Sequence, residues 1–227
     1  MKNTLAIFAA AILVACSGSG PLPSDPLPVN GLYIGEAGGE AATVIIDGTD
    51  FWMTYGGTRA SRLQYWVSFG SVETTTDKIS GEVYDAGAET RAQVELAITD
   101  SEAYAVNGKI TADTWEKEVA FTKATNATEL SPRNYHALMT RLVPFHSNHT
   151  RVTFQVLPDG TLSGNTESGC KVDGRIEYKQ DEYSHITLMF VSAGCDDQKF
   201  TGVIFRVEDG HRALLKSGGD ALSIFIF

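Results

Sequence analysis

From residue 30 onward, apolar and polar side chains alternate with a period of two. Tyr65, Val67 and Phe69 are interleaved with Trp66 and Ser68, and Val94, Leu96 and Ile98 with Glu95 and Ala97. Val152, Phe154 and Val156, then Ile186, Leu188 and Phe190, then Val203, Phe205 and Val207 carry the pattern through the second half. Alternation of this kind marks strands with one face in a core and one in water. Asp47-Gly48, Asn107-Gly108, Asp159-Gly160 and Asp209-Gly210 punctuate the runs with pairs suited to the positive φ of tight hairpins. The chain is therefore expected to be all-β and antiparallel, as a barrel-like body or a sandwich.

One segment has a different period. Ser131 can cap a helix that Pro132 begins, and Tyr135, Leu138, Met139 and Leu142 then share one helical face, with Pro144 as a stop. The spacing predicts a short helix here, connecting a first β lobe at 30–125 to a second at 129–227. Ile45-Ile46-Asp47-Gly48 and Leu157-Pro158-Asp159-Gly160 are a faint echo between the lobes.

The start of the chain has no such alternation. Lys2 precedes an apolar run over residues 5–15, too short for the ~20 residues of a spanning helix, and the run ends in Leu13-Val14-Ala15-Cys16. A charged start, a short apolar middle and a small residue before the cut make a signal peptide, assigned to residues 1–15. The final tetrad resembles the lipobox of bacterial lipoproteins. That resemblance implies a diacylglyceryl group on Cys16, cleavage before it and acylation of the new amino group, so the chain is held at the membrane through lipid on Cys16. Several acyl chains anchor durably where one does not. Ser17 is similar to residues that follow the modified cysteine in lipoproteins sorted to the outer membrane of the cell envelope. Residues 16–29 read as a tether, with Pro21, Pro23, Pro26 and Pro28 among only seven prolines in the chain; at ~3.1 Å per residue it reaches about 40 Å. The alternating C-terminal stretch Leu222-Ser223-Ile224-Phe225-Ile226-Phe227 is similar to the assembly signal of integral outer-membrane barrels. That alternative conflicts with Cys16, with the tether, and with strands shorter than the ~9–11 residues that spanning needs.

Charge removes one class of partner. The formal net charge is -10 and no stretch clusters Lys or Arg with aromatics, so a nucleic-acid partner is not expected. With Cys16 assigned to lipid, Cys170 and Cys195 remain as a disulfide pair in an oxidising compartment. Directly opposed cysteines make paired residue numbers sum to 365, whereas a sum of 366 sets Leu188 against Tyr178 and Phe190 against Ile176 on one apolar face. The two demands together predict a bulge near Gly174 or Ala193-Gly194. The stretch from Gly160 to Cys170 also resembles a module of other proteobacterial lipoproteins, a likeness that carries no chemistry.

Catalytic constellations are lacking. His146 and His149 are three apart without a third ligand at metal spacing, so neither a metal nor a cofactor is assigned. Ser80, Ser163 and Ser168 precede glycines, yet none completes Gly-x-Ser-x-Gly; Asp181-Glu182 and Asp196-Asp197 lie in polar turns. Aromatics concentrate in the first lobe, and Trp52, Tyr55 and Trp66 are the candidate binding face. The expected function is non-catalytic binding of an envelope protein partner or of a small apolar ligand, with an envelope hydrolase as the alternative.

Overall fold

The computed structural model describes residues 29–56, 66–100, 104–124, 130–143, 145–178, 182–191, 195, 197–207 and 209–227. Among these residues the regular elements are strands. The first eight are β1 (Gly31–Ala37), β2 (Glu40–Asp47), β3 (Asp50–Tyr55), β4 (Trp66–Thr74), β5 (Lys78–Asp85), β6 (Thr90–Asp100), β7 (Ala105–Ala112) and β8 (Trp115–Ala124). They pair antiparallel in chain order, and β8 returns to β1 to close a barrel. The second eight are β9 (Asn134–Val143), β10 (Phe145–Val156), β11 (Thr161–Thr166), β12 (Lys171–Glu177), β13 (Ser184–Val191), β14 (Gln198–Val207), β15 (Gly210–Ser217) and β16 (Asp220–Ile226). They close a second barrel where β16 meets β9. The fold is all-β with two barrel lobes. The signal peptide, Cys16 and all of the tether except Val29 lie outside the described residues, as do Tyr65, Asp181 and Asp196.

Period two explains the interiors. Tyr33, Val44, Ile46, Phe51, Met53, Val94, Leu96 and Phe121 fill the first barrel, and Val152, Phe154, Ile186, Leu188, Ile204 and Ile224 fill the second. Eight strands leave an interior just wide enough for side chains to occupy.

Three local expectations are corrected. The helix predicted over residues 131–142 is absent, and its residues form β9, bonded on one side to β10 and on the other to β16. Tyr135 and Ala137 face inward while Leu142 faces the other lobe, so apolar residues spaced for one helical face serve two faces of a strand instead. Asn107-Gly108 is not a turn but the middle of β7, opposite Ala97 and Leu96. The β12–β13 ladder has paired numbers summing to 362, setting Leu188 against Gly174 and Ile176 against Ile186, with no register shift over Lys171–Glu177. Cys170 and Cys195 are bonded, with Cα atoms 5.9 Å apart, beyond the ends of that ladder. The bridge thus joins two connections, and no bulge occurs at Gly174 in β12; the alternative position, Ala193-Gly194, lies outside the described residues.

The lobes share a third apolar cluster. Outward-facing Leu32, Ile45, Trp52 and Val67 of the first barrel pack against Leu142, Val203, Phe205 and Leu214 of the second. Burying one such side chain is worth about 1.5–3 kcal/mol, so the two barrels are held as one body. Polar contacts border the seam: Tyr183 donates to Asp47 at 2.8 Å, His185 Nε2 meets the other Asp47 oxygen at 2.5 Å, and Lys216 pairs with Asp50. Glu182 pairs with Lys123 and accepts from the Leu32 amide. Burial, then the bond to Asp47, pushes the Tyr183 phenol above its ordinary range.

Candidate functional site

In the second barrel the inward positions grade from apolar to polar toward the disulfide end. At mid-height Val152, Phe154, Leu162, Val172, Leu188 and Ile224 enclose a void of only about 10 Å³, too small for ligand. Toward the disulfide the same strands place Met139 and Arg141 on β9, Thr150 on β10, Thr166 on β11, Phe190 on β13, Gln198 and Phe200 on β14, and Leu222 on β16 around an open cavity of about 430 Å³. The walls are apolar at depth, where Phe190 meets Phe200 edge to face at 5.7 Å.

Polar groups form the rim, and most are spoken for. Arg141 Nη2 donates to Asp220 Oδ1 at 2.8 Å, and Gln198 Nε2 donates to Asp220 Oδ2 at 2.9 Å and to the Ser217 carbonyl. The Arg141 bond, then that of Gln198, holds the Asp220 carboxyl below the usual range, so the pair stays ionised and its charges cancel. The Cys170 amide donates to Thr166 Oγ1 at 2.9 Å, and Thr166 shares a hydrogen bond with Ser168. Cys170 and Cys195 are themselves part of the rim, so the bridge fixes two loops at the opening. A cavity of this volume with an apolar floor and few polar groups is the usual form of a small-molecule site.

The candidate aromatics occupy three different environments. Trp52 is buried in the seam, stacked on Phe69 at 5.8 Å, with Lys216 Nζ 5.7 Å from its ring. Tyr55 points into the first barrel, where its hydroxyl donates to Asp85. That carboxylate also accepts from Ser68 at 3.0 Å and from the Gly87 and Ala88 amides at 2.9 and 2.8 Å. Four donors satisfy Asp85, and the group ties β3, β4 and the β5–β6 hairpin together. Trp66 is 45% exposed and lies on Gly87, where a Cβ would come within 1.8 Å of the ring.

Among the described residues Ser168 at the mouth hydrogen-bonds Thr166 and not a histidine. His149 Nδ1 bonds Thr140 at 2.7 Å on the outer wall of the second barrel, and His185 bonds Asp47 in the seam. The side chain of His146 lies outside the description. Among the described residues no group of three or more His, Cys, Asp or Glu is arranged to hold a metal ion, and no helix is long and apolar enough to cross a membrane.

The mouth was missed in the sequence because it needs the closure of β9 on β16. A signal existed in the inward parity: Leu222 is followed backward by Asp220, Phe200 by Gln198, and Met139 forward by Arg141.

No family model matches the chain, and no curated protein matches it. Among solved structures it is similar to the isotype 1 transferrin binding protein B from serogroup B Neisseria meningitidis, at 8% identity and a TM-score of 0.28. The likeness covers 82% of this chain, which spans 57% of that one, and at this level it supports no inference about function.

Proposed function

We propose that this is a lipid-anchored protein of the bacterial envelope that binds a small apolar ligand without catalysing its conversion. The reading is carried by the 430 Å³ cavity at the disulfide end of the second barrel. Its apolar residues Met139, Phe190, Phe200 and Leu222 would take the ligand's body, and the neutralised Arg141, Asp220 and Gln198 group would favour an uncharged polar end over an ionised one. A neutral apolar fluorophore such as N-phenyl-1-naphthylamine should bind saturably to the full chain. Met139→Trp and Leu222→Trp, which fill the cavity, should each abolish that binding while thermal unfolding stays cooperative. Absence of saturable binding, or equal binding by both filled variants, overturns the reading.

Anchoring rests on Cys16 and the preceding Leu13-Val14-Ala15, with the outer membrane as the proposed location. Cys16→Ser should move the protein from the membrane pellet to the soluble fraction; a variant that stays in the pellet contradicts the lipid anchor. A protein partner is a second reading, favoured by Trp66, a large aromatic left 45% exposed on the first barrel. Crosslinking of the protein in its own envelope separates the two, since a ligand carrier yields no stoichiometric protein adduct.

A further inference from the structure

At the end of the second barrel away from the disulfide, the inward parity runs out of apolar side chains and into basic ones. Tyr135 faces inward on β9 and Arg133 stands two residues before it; Ile204 is followed at the same parity by Arg206 on β14; Ala213 is preceded by His211 on β15. Arg206 and His211 are direct cross-strand partners. The Arg133 guanidinium lies 4.6 Å from the centre of the Tyr135 ring. All three border a cavity of about 380 Å³ that Ser131, Tyr135 and Asp209 also line. Leu130, next to Ser131, is buried in the interior cluster with its carbonyl accepting from Tyr178 at 3.0 Å, so this end of the barrel is stoppered beneath the basic groups.

The chain as a whole is acidic, at -10. Arg91 and Arg141 have Glu82 and Asp220 as ion-pair partners. Among the described residues no carboxylate stands within ion-pair distance of Arg133 or Arg206. Their positive field is felt locally: burial, then Arg206 and Arg133, pushes the His211 imidazole below its ordinary pKa.

We propose that this basic crown is a binding site for a phosphate group. Two guanidiniums and an imidazole supply planar and directional donors of the kind that grip phosphate oxygens bidentately. The two guanidiniums less the Asp209 carboxylate leave one net positive charge at the cavity, which a phosphate monoanion balances; a dianion is balanced when the imidazole also takes up a proton. The site stands apart from the mouth, at the opposite end of the barrel and closed off from it by the packed interior, so either can fail without the other.

The test follows the His211 Cε1 proton by NMR in the full chain, at constant ionic strength set with chloride. Inorganic phosphate should shift it saturably at about millimolar concentration, a range that corresponds to ~4 kcal/mol, and should raise the imidazole pKa. In Arg133→Gln/Arg206→Gln the saturation should weaken at least about tenfold, the loss of ~1.4 kcal/mol. Both guanidiniums are exposed, so the fold survives their replacement; phosphate-dependent protection against heat, present in the wild type and lost in the double variant, is the second readout. Phosphatidylcholine vesicles with and without phosphatidic acid identify the source: displacement of inorganic phosphate only by the acidic vesicles assigns a lipid headgroup, and no displacement assigns a soluble phosphate. Lack of a saturable shift in the wild type, or an equal shift in the double variant, overturns the proposal.

Discussion

Glycine at an inward position of a strand leaves a gap that a neighbouring strand can enter. At Gly81 in β5 an added Cβ would lie 2.1 Å from the Ser71 carbonyl oxygen and 2.7 Å from the Val72 Cα, atoms of a bonded strand that cannot step aside. Gly81→Ala is therefore expected to lower stability by about 1–3 kcal/mol through overpacking, read as a shift in the urea midpoint. Gly219→Ala, where nothing lies within 4 Å, should stay within about 0.5 kcal/mol. Equal effects at the two sites would show that close approach is not what requires glycine at Gly81. The same device was written in the sequence without being legible as such. Ile79-Ser80-Gly81-Glu82-Val83, Val106-Asn107-Gly108-Lys109-Ile110 and Val172-Asp173-Gly174-Arg175-Ile176 share one form, with glycine between two inward apolar residues. Asn107-Gly108 has the composition of a hairpin turn, and only the inward parity of Val106 and Ile110 distinguishes it from one.

Among the elements, β9 and the β12–β13 pair show where local pattern stops deciding. Tyr135, Leu138, Met139 and Leu142 fit a helical face and fit a strand buried on both sides; what selects the strand is pairing with β10 and β16, contacts that local spacing does not contain. The cysteine pair was readable by elimination, but its register was not, because the bridge lies past the ladder, whose paired numbers sum to 362 and not to the 365 of directly opposed cysteines. The cysteines are 25 residues apart, and closing a loop of that size is worth about 3 kcal/mol in the chain-entropy picture. Cys170→Ser with Cys195→Ser should lose about that much in denaturant unfolding and should weaken fluorophore binding at the mouth, whose rim the bridge forms. A double variant with unchanged unfolding midpoint would mean that the hydrogen-bonded ladder alone sets the geometry of the rim.

For the whole molecule, alternation made two β lobes legible and left their contact hidden. Four of the runs that break the period meet at the seam: Val44-Ile45-Ile46, Phe51-Trp52-Met53, Val203-Ile204-Phe205 and Ala213-Leu214-Leu215 are apolar at successive positions and buried on both faces. A strand with both faces covered reads as a continuous apolar run, and here each run sends one set of side chains into its own barrel and the intervening ones into the seam. Trp52, 1% exposed, is the largest side chain in that seam. Trp52→Ala should cost about 3–5 kcal/mol and split a single calorimetric transition into two, one for each barrel. A single transition displaced to lower temperature would instead place the coupling in the Asp47, Tyr183 and His185 contacts. Both rings of strands are shut, with β1 bonded to β8 and β9 to β16. Among the described residues a neighbouring polypeptide consequently finds no unsatisfied row of amides and carbonyls on which to lay an extra strand. Recognition of any other macromolecule by the described residues is left to side chains and connecting loops, and crowded copies find no template among these strands for stacking into fibrils.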